Sequence, residues 1–234
     1  MSFCLLSDII KYSYPYGAIS LNSKYFDDSK DLGGTEQALL NYTIKKIKIF
    51  SCKIEELIFI NGVQLTYRNK RTNELKELET RKGNIEYEEE DVETFEVNSG
   101  EYLTNFYIRI SKDKDIITQI GFETNKKRKI LKGEENGENR TIYCNGGQNI
   151  ILGTFGHYNQ KLEAFGVLFI NSKEYIIKFY KIYFDLKFKL KKDEKFRKKI
   201  ENKYETFSES YKYLLRTCLL PDTPFVEVLK FCFL

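Results

Sequence analysis

The chain has 234 residues, a net charge of +4 and plentiful apolar and charged side chains, which fits one domain plus an extension and excludes disorder throughout. The positive charge is confined: residues 172–203 carry 12 basic and 5 acidic side chains, while residues 1–171 and 204–234 are each slightly acidic, so no nucleic-acid partner is expected for the main domain. Five scattered cysteines without a C-x-x-C pair argue against a disulfide framework or zinc site, and the lack of a signal-peptide pattern or an apolar run of ~18 residues sets a cytoplasmic expectation.

Residues 1–11 read as an N-terminal tail. Pro15-Tyr16-Gly17 marks a turn, and Gly17 lets the backbone approach another surface closely. Phe26-Asp27-Asp28 opens a polar stretch that ends at Gly33-Gly34. From Ile44 the pattern becomes strand-like through Ile47, Ile49, Ile54, Leu57 and Phe59, with a hairpin break expected at Ser51-Cys52-Lys53. Asn61-Gly62 is a turn signal, followed by a third strand through Val63, Leu65 and Tyr67.

Residues 68–94 are highly charged and read as a solvated loop, because the acidic run Glu88 to Asp91 lacks metal-ligand spacing. Phe95 and Val97, the turn Asn98-Ser99-Gly100, and then Tyr102, Leu103, Phe106, Ile108 and Ile110 give two further strands. Ile116 to Phe122 is another. The cationic Lys126-Lys127-Arg128-Lys129 lacks the interleaved aromatics of a single-strand binder and reads as a solvated turn. Gly133 to Asn139 reads as a loop, Ile142-Tyr143 as a strand start and Asn145-Gly146-Gly147 as a turn.

Ile150 to Phe155 and Phe165 to Ile170 then read as two buried strands. Between them lies a polar loop carrying His157, Tyr158, Asn159, Gln160, Lys161 and Glu163. An aromatic, amides and a carboxylate at a braced loop tip suit a small polar ligand. Short strands at intervals of roughly 8–12 residues, with Gly and Asn turns, indicate an all-β domain.

Beyond Asn171 the pattern changes. Ile182 to Leu190 alternates as a strand would, although its lysines also allow a helix. Phe196, Ile200, Tyr204, Phe207, Tyr211, Leu214 and Cys218 recur at spacings of three and four, which predicts an amphipathic helix near 192–219 that Pro221 ends. Its aromatic face is expected to pack on the main domain or on a second copy, making a homo-oligomer a candidate assembly. Docking on an anionic membrane surface or a partner helix is the alternative.

Three segments resemble one family. Gly100-Glu101-Tyr102-Leu103-Thr104 resembles the G-E-Y-L-T turn of jacalin-like (mannose-binding-type) lectin domains. Ile117-Thr118-Gln119-Ile120-Gly121-Phe122-Glu123-Thr124-Asn125-Lys126-Lys127 is similar to that family's I-x-S-L-x-F-x-T-N-K-x segment. Gly153 to Gly166 is similar to its closing G-F-x-G-x-x-G-x-x-L-D-x-I-G. Gly17 and Phe26-Asp27-Asp28 fit its N-terminal pattern, and Ile54 to Phe59 fits its second strand. The resemblance spans roughly residues 12–171.

It implies a β-prism of three four-stranded antiparallel Greek-key sheets, here with a C-terminal α-helical extension at 172–234. It also implies non-enzymatic carbohydrate binding; no cofactor and no metal are expected. The site it implies comprises Gly17, His157, Tyr158, Asn159, Gln160, Lys161 and Glu163. Glu163 would accept hydrogen bonds from sugar hydroxyls, and the backbone N–H groups of Gln160 and Lys161 would donate back. The family's G-x-x-x-D stands here as Asn159-Gln160-Lys161-Leu162-Glu163, with Asn tolerating the left-handed backbone of the glycine. Tyr158 or His157 is the aromatic left to stack on a sugar. His157 is the sole histidine and has no recognisable nucleophile partner, so no catalysis is expected. A protein-interaction module that has lost sugar binding is the alternative.

Overall fold

A computed structural model describes residues 10–54, 57–83, 90–111, 116–135, 138–142 and 149–171, with positions 188, 192–195 and 198. The chain divides into two compact units, Met1–Ser172 and Lys173–Leu234.

In chain order the first unit contains β1 (Ile10–Tyr12), β2 (Tyr16–Gly17), β3 (Lys24–Asp27), helix α1 (Asp28–Gly33), a 3-10 turn (Glu36–Asn41), β4 (Tyr42–Ile54), β5 (Leu57–Asn69), β6 (Leu75–Glu77), β7 (Arg81–Lys82), β8 (Glu90–Glu96), β9 (Leu103–Ile110), β10 (Ile117–Thr124), β11 (Lys129–Gly133), β12 (Glu138–Ile142), β13 (Asn149–Tyr158) and β14 (Leu162–Asn171). They form three antiparallel sheets. The first runs β1–β14–β13–β3, with β2 also on β14. The second runs β11–β10–β9–β12, and the third runs β6–β5–β4–β8 with β7 also on β5. Two short strands share one edge in the first and third sheets. Each sheet thus has four strand positions, as a β-prism requires. The first and last described strands of the unit meet in one sheet, where Ile10 pairs with Ile170.

Phenylalanines fill the space between sheets. Phe106, Phe122 and Phe165 are fully buried and Phe26 nearly so. The Phe165 ring lies 5.4 Å from Phe106, 6.4 Å from Phe122 and 6.2 Å from Phe26, joining the first and second sheets. Gly156 pairs with both Phe26 and Phe165, and a Cβ there would come 3.0 Å from the Phe26 ring. The same Cβ would come 2.0 Å from the Ala164 carbonyl oxygen, so the glycine is required chiefly by the close approach of the β14 backbone. The third sheet is tied in by polar contacts: Tyr67 on β5 donates to Asp28 at 2.5 Å, and the Thr154 N–H and O–H on β13 donate to the same oxygen at 2.7 Å.

The structure corrects several local expectations. Asn61-Gly62 is no turn: β5 continues through it, and Phe50 pairs with Gly62 while Ser51 pairs with Ile60. Asn61 is therefore the extra residue of a bulge. Glycine is needed because β7 pairs closely alongside; a Cβ at 62 would lie 2.6 Å from the Arg81 carbonyl oxygen. β4 likewise runs unbroken through Ser51, Cys52 and Lys53. Tyr16-Gly17 is a short strand on β14. Part of the charged 68–94 region forms β6, β7 and β8. Ile142 ends a strand instead of opening one, because polar Glu138–Ile142 pairs with β9. The expected turn at 145–147 lies outside the described residues.

In the second unit, Phe188, Lys192, Glu194, Lys195 and Lys198 are helical. Lys198 pairs with Glu194 at 3.2 Å, one helical turn away. The remainder of the helix expected near 192–219 lies outside the described residues. No helix among the described residues is long and apolar enough to cross a membrane.

Candidate functional site

The polar connection expected between residues 157 and 163 is shorter than the sequence suggests. β13 extends to Tyr158 and β14 starts at Leu162, because β3 pairs alongside and holds Tyr25 opposite His157 and Lys24 opposite Tyr158. Only Asn159, Gln160 and Lys161 form the turn, closed by the Asn159 N–H donating to the Lys161 carbonyl at 3.1 Å. Asn159 does not take a left-handed backbone; among described non-glycine residues only Asn73 and Lys127 have positive φ. The tolerance expected of asparagine is thus not called upon.

Two glycines approach the backbone in this region, Gly17 at Glu163 and Gly83 at Gln160 of the turn. Gly17 has φ +123 and pairs with Ala164. A Cβ on it would fall 1.9 Å from the Glu163 carbonyl oxygen, so the N-terminal strand passes directly against the backbone of the candidate carboxylate. From the third sheet, Gly83 abuts Gln160: a Cβ there would lie 2.0 Å from the Gln160 carbonyl oxygen and 2.4 Å from Asn61 Oδ1.

Glu163 is 7% exposed. Its carboxylate accepts from the Ser20 N–H at 3.0 Å and from the Ser20 hydroxyl at 2.8 Å to Oε1 and 3.0 Å to Oε2. His157 Nδ1 lies 3.1 Å from Ser23 Oγ, and its ring meets Tyr25 edge-on at 5.2 Å. Tyr158 is buried, with its ring 6.2 Å from Phe26, and serves the core. Gly17 and Glu163 are thus in contact, the 159–161 turn adjoins them in sequence, and Tyr158 points elsewhere.

The two aspartates of the Phe26-Asp27-Asp28 segment are structural. Asp27 is the N-cap of α1, accepting from Ser29 N–H at 2.9 Å and Ser29 O–H at 2.6 Å. Its second oxygen accepts from Tyr12 at 3.2 Å and Tyr25 at 3.0 Å. Burial, and then the Asp27 charge, pushes both phenols above their ordinary range. Burial also raises Asp28 to about 6, against the pull of the Tyr67 and Thr154 hydrogen bonds and the Arg81 charge. Sequence reading missed Ser20, Ser23 and Gly83; nothing local distinguishes them.

Fold and site together define an all-β prism with a carboxylate beside the 159–161 turn at one end of its first sheet. Residues 29–168 match the jacalin-like lectin domain, and the chain belongs to that family. Membership supports carbohydrate binding as the general function. Among solved structures, the chain is similar to a mannose-binding jacalin-related lectin from Ananas comosus, at 17% identity and a TM-score of 0.50, over 69% of this chain and 98% of that one. It is similar to Calsepa lectin, solved with a biantennary N-glycan, at 20% identity and 0.52, over 69% and 96%. It is also similar to single-chain recombinant jacalin, at 18% and 0.53, over 68% and 93%. At these identities the likeness is one of fold. No curated protein matches the chain.

Proposed function

We propose that the prism is a non-enzymatic carbohydrate-binding module that recognises a monosaccharide of mannose/glucose or galactose type. Recognition runs through the 156–163 segment and the Gly17 strand. The observation that supports this reading is the Glu163 carboxylate, on a residue whose backbone Gly17 passes closely, with both oxygens taking N–H and O–H donors from the exposed Ser20. Those are the donor types that sugar hydroxyls present. A site this shallow is bounded near millimolar affinity, ~4 kcal/mol. The test is a glycan array with the full chain and with Glu163→Ala. Binding that the substitution removes supports the reading; a folded wild type silent on every glycan sinks it.

Two observations favour a second reading. Glu163 is already satisfied within the chain and Tyr158 is turned into the core, features that fit a protein-interaction module that has lost sugar binding. Partner capture that requires residues 190–220 and survives Glu163→Ala would support that reading.

A further inference from the structure

If Glu163 is the carboxylate that binds sugar, it already carries an internal ligand. We propose that Ser20 is a built-in competitor at this site: it stands in for two sugar hydroxyls, a glycan reaches Glu163 only by displacing it, and Ser20 thereby sets affinity and selects ligands able to replace both donors. This rests on the sugar-binding reading of Glu163.

The geometry carries the argument. Ser20 brings one N–H and one O–H to a single carboxylate, touching both of its oxygens at 2.8–3.0 Å. Charge-assisted bonds of this kind are roughly twice as strong as neutral ones, so a ligand offering a single hydroxyl exchanges two donors for one. The segment from Ala18 to Asn22 is exposed, whereas Glu163 beneath it is 7% exposed. Ser20 is therefore what covers the carboxylate on that side.

The segment is also built to lift. It is pinned at one end by the pairing of Gly17 with Ala164 and at the other by Ser23 Oγ on His157 Nδ1. Between these anchors the Ser23 N–H returns to the Ser20 carbonyl at 3.2 Å, a tight turn. Ile19 and Leu21, on either side of Ser20, are exposed, so raising Ser20 removes no apolar side chain from the core. His157 acquires a role here as the anchor of the covering turn.

Apparent affinity equals intrinsic affinity reduced by the fraction of molecules whose carboxylate is uncovered. Removing the serine hydroxyl raises that fraction. The experiment is an NMR titration of the full chain with methyl α-D-mannopyranoside and methyl α-D-galactopyranoside, on wild type, Ser20→Ala, Ser20→Gly and Glu163→Gln, with thermal unfolding as the check of folding. The expected result is binding about tenfold tighter in Ser20→Ala than in wild type, with loss in Glu163→Gln. The Ser20 amide resonance of the wild type moves on saturation, a readout that needs no variant. If wild type binds, Glu163→Gln does not, the serine variants bind no tighter and the Ser20 amide stays still, the Glu163 reading stands and the competitor is overturned. If neither sugar perturbs wild type or the serine variants, both are overturned.

Discussion

Gly17 and Glu163 are in backbone contact: an added Cβ on Gly17 would sit 1.9 Å from the Glu163 carbonyl oxygen and 3.0 Å from the Ala164 Cα. The φ of +123 at Gly17 is itself closed to most side chains. Gly17→Ala therefore breaks the β2–β14 pairing and moves the candidate carboxylate. The expected loss is ~1–3 kcal/mol in urea unfolding, with glycan binding weakened in parallel. Unchanged stability would show that β2 does not hold this position in solution.

The fully buried Phe165 touches rings from three other strands, Phe26 on β3, Phe106 on β9 and Phe122 on β10. Phe165→Ala leaves a cavity between two sheets that their backbones are too constrained to close. A loss of ~3–5 kcal/mol follows, and Phe165→Leu is expected to lose clearly less. Denaturant titration of both variants checks the ordering.

Asp28 gives a pH dependence with a defined sign. Its carboxyl is raised to about 6 in the fold, chiefly by burial, from an ordinary 3.8. Between those values the folded state binds the proton and the unfolded state does not. This group's contribution is therefore full below about 4, declines as pH rises towards 6, and is gone above it. Two pKa units correspond to ~2–3 kcal/mol. Asp28→Asn is expected to flatten the wild-type slope between pH 4 and 7 in urea unfolding. A slope identical in both proteins would place the titration elsewhere.

How much of this was readable beforehand depends on where the information resides. β9 announces itself because buried Phe106 and Ile108 alternate with half-buried Asn105, Tyr107 and Arg109, and β10 because Ile117, Ile120 and Phe122 mark a strand that is buried from Ile117 to Phe122. β12 does not, since Glu-Asn-Arg-Thr carries no apolar alternation and its place depends on pairing with β9. Asn61-Gly62 looks like a turn because that dipeptide is a strong hairpin signal, yet it lies inside β5, paired with β4 on one side as a bulge and with β7 on the other. Gly17 and Glu163 were legible through the family resemblance. Ser20 was not: its partner is 143 positions away, and only the closed sheet brings them together.

Gly83 links the third sheet to the candidate turn, and the link can be tested away from Glu163. Its N–H donates to the Asn61 carbonyl at 3.0 Å, holding it at the bulge. A Cβ would collide with backbone, 2.0 Å from the Gln160 carbonyl oxygen. Backbone has no flexible end to yield, so Gly83→Ala has to displace either the Asn159–Lys161 turn or the Asn61 bulge. The expected destabilisation is ~1–3 kcal/mol. The two routes differ in readout. Amide shifts centred on residues 159–161 with altered glycan binding mean that the turn yields. Shifts centred on residues 60–63 with glycan binding intact mean that the bulge yields. A variant as stable as wild type with neither set of shifts would mean that Gly83 does not support the turn.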